Sequence, residues 1–95
     1  MDAKSAYERR LEAQLHEWRR RIGSLRARSE TMEEDRKAAC REYIRALEQR
    51  SVGMQAELEK LRRCSGRTFE DVRATSDQAW TEMENAVSRG HVRFY

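Results

Sequence analysis

Few residues in this 95-residue chain are suited to chemistry, and their spacing keeps each one isolated. The two cysteines, Cys40 and Cys64, are 24 positions apart, so neither has a resolving partner in a CxxC pattern. Cys40 falls on an apolar stripe and reads as a small buried hydrophobe. Cys64 follows Arg62 and Arg63, the cation-rich setting that redox thiols use, but nothing in the sequence completes such a pair. His16 and His91 each stand alone, whereas a metal site needs several ligands at helical spacing. Glu33, Glu34 and Asp35 adjoin one another, yet paired-carboxylate acid–base chemistry needs a cleft, and these read as solvated residues at a helix start. The four glycines are scattered singly, so there is no phosphate loop, and no GxSxG, HExxH or EF-hand pattern occurs. The expectation is a protein that is not an enzyme, with no cofactor, no metal and no small-molecule substrate.

Binding chemistry is better represented. Arg19, Arg20 and Arg21 form a candidate anion-binding cluster, although three consecutive helical residues fan out over most of a turn and make no single stripe. Trp18 and Trp80 could stack on bases or seat in a membrane interface, but both recur on apolar helix faces, where a core role is the simpler reading. Residues 1–28 hold eight basic and four acidic side chains, residues 29–64 eight of each, and residues 65–95 four basic and five acidic. Only the first part of the chain therefore attracts anions, and modestly.

The elements that must position these residues are helices. Charged residues make up 39% of the chain and hydrophobic ones 38%, and the mean hydropathy is -1.06. That is too polar for a bulky core, but it suits long helices that bury one narrow stripe. The chain has no proline to break them. Leu11, Leu15, Trp18, Ile22 and Leu25 step by 4, 3, 4, 3, a heptad seam with Tyr7 one turn before it. The seam lapses over residues 26–38, where Met32 is the only sizeable apolar residue. It resumes as Cys40, Ile44, Leu47, Ser51, Met54, Leu58 and Leu61, one residue out of register with the first run. A straight helix tolerates that offset, because the positions from Leu11 to Leu61 make almost a whole number of turns at about 3.6 residues each.

The spacing therefore predicts an all-α fold, an antiparallel helical coiled coil with a long first helix and a shorter second one. The first helix would span about residues 3–63, the turn about 64–68, the second helix about 69–89, and residues 90–95 a short tail. Gly66 would provide the break and Gly90 the second helix's end. Phe69, Val72, Trp80 and Met83 would dock the second helix. The alternative is a three-helix bundle with a turn near Thr31, where Thr31 and Glu34 make a capping-box pattern. The absence of Gly or Pro near that point favours the continuous helix.

A helix of that length would reach roughly 90 Å and leave much of its seam uncovered by a second helix of roughly 30–35 Å. The seam Leu11, Leu15, Trp18, Ile22, Leu25, Ile44, Leu47, Met54, Leu58 and Leu61 would then be closed by other copies, making the chain a homo-oligomer. The polar N-terminus has no apolar signal region, and no apolar run approaches the roughly 18 residues that span a bilayer, so a cytoplasmic setting with reduced thiols is expected.

Three blocks carry a resemblance. Tyr7-Glu8-Arg9-Arg10-Leu11-Glu12-Ala13-Gln14-Leu15-His16-Glu17-Trp18 resembles the opening of a family of small bacterial coiled-coil proteins. Arg41-Glu42-Tyr43-Ile44-Arg45-Ala46-Leu47 is similar to that family's central tract, and Phe69-Glu70-Asp71-Val72 with Asp77-Gln78-Ala79-Trp80 to its last helix. The chain departs from the pattern at Gly23, Cys40, Gly53 and the His91–Tyr95 tail. The family is linked to stress response without an established activity, so the resemblance implies a fold and a context. The function expected is a non-enzymatic coiled-coil interaction protein, stress-related, that works through helix packing and homo-oligomerisation. The alternative is a peripheral binder of membrane or nucleic acid through the basic amphipathic first helix.

Overall fold

The computed structural model describes residues 2–95 and shows three helices of similar length: α1 (Ala3–Ser29), α2 (Glu34–Arg63) and α3 (Gly66–Phe94). Helix α1 starts where the Asp2 carboxylate accepts the Ser5 backbone N–H at 2.7 Å, an N-cap that also holds the Asp2 carboxyl below the usual carboxylate range.

The continuous helix over residues 3–63 does not form; the chain turns after Ser29, and the fold is the three-helix bundle. The turn needs no glycine because none of its residues adopts a positive φ. Instead, α1 tightens into i→i+3 bonds: the N–H groups of Glu30, Thr31 and Met32 donate to the carbonyls of Ala27, Arg28 and Ser29. Two hydroxyls reinforce the stop. Ser29 Oγ donates to the Arg26 carbonyl at 2.6 Å and Thr31 Oγ1 to the Arg28 carbonyl at 3.1 Å. Such side-chain bonds compete with helix propagation. Thr31 therefore closes α1 rather than capping α2, whose N-cap is Glu33 in an extended conformation.

The second connection is shorter than the expected turn over residues 64–68. Cys64 and Ser65 alone separate α2 from α3, and Gly66 is the first residue of α3 without a positive φ. Nor does α3 end at residue 89. It runs through the supposed tail to Phe94, and its length matches that of the other two helices. Gly90 has a packing reason: a Cβ there would lie 2.7 Å from Tyr43 Cε1. Glycine lets the Tyr43 ring lie against the α3 backbone, where its hydroxyl donates to the Ala86 carbonyl at 2.6 Å.

Successive helices run antiparallel, which places α1 and α3 parallel. The whole measures 51 × 19 × 18 Å, little longer than one helix of about 30 residues at about 1.5 Å each. Folding back twice lets the stripe cover itself. Leu11, Leu15, Trp18, Ile22, Leu25, Ile44, Leu47, Met54, Leu58, Leu61, Phe69 and Met83 are all buried in one cluster, while Val72 and Trp80 are half-buried against it. Among the described residues, the seam from Leu11 to Leu61 is covered within one copy. Tyr7, Cys40, Ala86, Val87 and Phe94 complete the core.

Polar tips of core aromatics fix the register of α3 on α1. Tyr7 donates its hydroxyl to Asp77 at 2.6 Å, and Trp18 donates its indole N–H to Glu84 at 2.6 Å. The Trp18 and Trp80 rings meet edge to face at 6.1 Å, and Tyr7 packs on Phe69 and Trp80. Arg28 closes the far end by donating Nε to the Phe94 carbonyl at 2.9 Å, so that a cation caps the C-terminus of α3.

Candidate functional site

The three arginines of the expected anion cluster point in three directions. Arg19 reaches α2, where Nε donates to Ser51 Oγ at 3.3 Å and Nη2 to Gln55 Oε1 at 3.0 Å. Arg20 stays on the outer face and pairs with Glu17 at 2.8 Å. Arg21 turns toward α3 and lies 3.6 Å from Glu84. The structure therefore does not assemble Arg19, Arg20 and Arg21 into one site.

It assembles another set. Between α1 and α2 runs an open groove of about 730 Å³, with Arg9, Glu12, His16 and Arg19 on one wall and Gln55 and Arg62 on the other. Its floor is the seam itself, Leu15 and Leu58, each 1% exposed, and Ala13 also lines it. Arg62 is neutralised by Glu12 at 2.8 Å and Glu59 at 2.9 Å. Arg19 is held by two uncharged acceptors, so its position is fixed but its charge is not balanced. Among the described residues, Arg9 has no carboxylate partner. Two guanidiniums without a carboxylate partner among the described residues, Arg9 and Arg19, thus line the groove, across from an Arg62 already paired with Glu12 and Glu59. The sequence reading missed Arg9 and Arg62, because their neighbourhood depends on how α2 folds back on α1.

A second, smaller cleft of about 230 Å³ lies between α1 and α3, over Ile22, Leu25, Leu47 and Val87. His91 stacks on Tyr95 at its rim, with ring centroids 4.4 Å apart, and Arg28 lies over the Tyr95 ring. His16 and His91 therefore sit in different clefts. Among the described residues, no group of three His, Cys, Asp or Glu side chains could hold a metal ion. Glu33, Glu34 and Asp35 are exposed at the start of α2. Cys40 is fully buried, and burial pushes its thiol pKa up, which favours the unreactive neutral form. Cys64 is half-buried and donates Sγ–H to the Leu61 carbonyl. Among the described residues, no helix is long and apolar enough to cross a membrane.

No family model, no curated protein and no solved structure matches this chain.

Proposed function

We propose that the chain is a non-enzymatic interaction protein that works as a preformed bundle and presents the positive surface of α1 to an anionic partner. One observation carries this reading. The apolar seam is closed within a single copy, so what remains for contact is the outer surface, and its charge is uneven. Helix α1 carries eight Arg and Lys against three Glu, whereas α3 carries four Arg against five Asp and Glu. The stress-response context rests on the resemblance of three sequence blocks alone.

A second reading keeps the partner as another copy of the chain. Helix α3 exposes Glu70, Asp71 and Glu82 alongside Arg67, Arg89 and Arg93, and its carboxylates offer partners to the cations of α1 on another copy. Homo-oligomerisation would then run through outer faces, head to tail, rather than through the seam. Light scattering over a range of concentrations, at low and high salt, separates the two. The first reading expects the 11.3 kDa monomer throughout. A concentration-dependent dimer that dissociates in salt would replace it with the second.

A further inference from the structure

We infer that the groove between α1 and α2 binds a linear chain of phosphates, whether inorganic polyphosphate or the backbone of a nucleic-acid strand. The inference rests on the reading of α1 as a positive contact surface, and it names the site and the ligand class.

Four features of the groove point to this chemistry. First, its free charge is arranged along a line. Arg9 and Arg19 lie on one wall, and the ten steps from one to the other rise about 15 Å along the helix. One tetrahedral oxyanion cannot reach both guanidiniums, whereas a phosphate chain carries a charge every few ångströms. Second, Arg19 is preorganised. Ser51 Oγ and Gln55 Oε1 fix the guanidinium without balancing it, so little side-chain freedom is lost when an anion arrives. Guanidinium forks also suit phosphate oxygens, which they can bind in pairs.

Third, the groove has no broad aromatic platform and no apolar pocket for a base or a bulky side chain. Among the described residues, no Phe, Tyr or Trp lines it, so there is no broad platform for stacking. The apolar floor, Leu15 and Leu58, is sealed by packing and opens no pocket. Recognition is left to charge and hydrogen bonding along a backbone. Fourth, the opposing charge is small and already engaged. Among the described residues, Glu12 is the single carboxylate lining the groove, and both it and Glu59, which sits behind Gln55, are tied to Arg62.

The test is fluorescence anisotropy of the full chain in low salt with three labelled probes matched in charge: inorganic polyphosphate, oligothymidylate and poly-glutamate. Wild-type protein is expected to bind a phosphate probe, with log affinity falling linearly in log salt at a slope of about −2, as two to three phosphate contacts require. R9Q/R19Q is expected to lose affinity roughly tenfold or more, the order contributed by one charge-assisted contact. R20Q, which removes a cation already paired with Glu17 outside the groove, should change it less than about twofold. Circular dichroism of each variant confirms that the bundle is intact.

Binding of polyphosphate alone identifies an inorganic chain, and equal binding of oligothymidylate identifies the shared backbone; either supports the inference. It is overturned if neither phosphate probe binds, if poly-glutamate binds equally well, or if R20Q loses as much as R9Q/R19Q. A monomer that binds no probe overturns only this inference, whereas a salt-sensitive dimer overturns the reading of α1 on which it rests.

Discussion

Replacing glycine by alanine inside a helix ordinarily stabilises it, and this bundle contains three interior helical glycines on which the sign can be tested. Gly23 and Gly53 have nothing within 4 Å of an added Cβ, so Gly23→Ala and Gly53→Ala are each expected to gain up to about 1 kcal/mol from helix propensity. Gly90 has the same propensity to gain, but its Cβ would meet Tyr43 Cε1 at 2.7 Å, Tyr43 Cδ1 at 3.2 Å and Leu25 Cδ2 at 3.7 Å. The ring cannot retreat freely. Its hydroxyl is bonded to the Ala86 carbonyl at 2.6 Å, and it packs on Phe94 with centroids 5.8 Å apart. Overpacking of this kind costs about 1–3 kcal/mol, which cancels or exceeds the propensity gain.

Gly90→Ala should therefore lie about 1–3 kcal/mol below Gly23→Ala on the same scale, a difference of several degrees in Tm for a chain of this size. Urea unfolding followed by circular dichroism gives the comparison directly, with equal slopes showing that the unfolding reaction is unchanged. Repeating Gly90→Ala in a Tyr43→Leu background removes the ring, and the alanine should then gain stability there. A Gly90→Ala protein stabilised as much as Gly23→Ala would refute the claim that this glycine exists for the close approach of Tyr43.

Three further outcomes follow from buried polar groups. Burial first, and then the hydrogen bond to Asp77, pushes the Tyr7 phenol pKa up, so the folded value lies above the unfolded one near 10. Its contribution is complete below about pH 10 and is lost as pH rises beyond that, so Tyr7→Phe should flatten the alkaline fall in stability; identical alkaline limbs would sink this. Glu84→Ala leaves the indole N–H of fully buried Trp18 without its acceptor and should cost about 1–3 kcal/mol, whereas Glu82→Ala, which removes an exposed carboxylate 4.0 Å from Arg50, should stay within about 0.5 kcal/mol; equal losses in urea unfolding would contradict the role given to Glu84. In thiol labelling of the folded protein, half-buried Cys64 should react first and Cys40 only as fast as the bundle opens, and equal rates would contradict the burial of Cys40.

The core was legible because burial imposes the period. Nearly every residue on the 4-3-4-3 steps lies in the one cluster, and the tail residue Phe94 joined it only because α3 continues through Gly90. The turn near Thr31 was legible only as the alternative, since sequence signals for helix ends lean on Gly and Pro, and this turn uses neither a positive φ nor a ring. The trace it left was the apolar gap over residues 26–38, which a continuous helix explains as a weak stretch and a bundle explains as the place where no face needs covering. The one-residue offset between the two seams belongs to two helices with separate registers. Gly90 misled for a related reason. Glycine serves both a helix end and a close packing contact, and only the partner residue, 47 positions away at Tyr43, tells them apart.

The arginines show why a charge count along the chain could not find the groove. Of the eight cations on α1, most already have a carboxylate, a ring or a carbonyl as partner, within α1 or on another helix. Lys4 pairs with Glu8, Arg20 with Glu17, Arg21 with Glu84 and Arg26 with Glu48. Arg10 lies over the Trp80 ring, and Arg28 caps α3 while covering Tyr95. Arg9 and Arg19 are left, and both line the same groove. The consecutive run Arg19–Arg21 drew attention in the sequence because neighbours in sequence look like neighbours in space. On a helix they diverge, and the partners that matter come at longer intervals or from another helix. Excess positive charge marks a contact surface here only after the pairs internal to the fold have been set aside, and that subtraction depends on the register fixed by Tyr7–Asp77, Trp18–Glu84 and Arg62–Glu12.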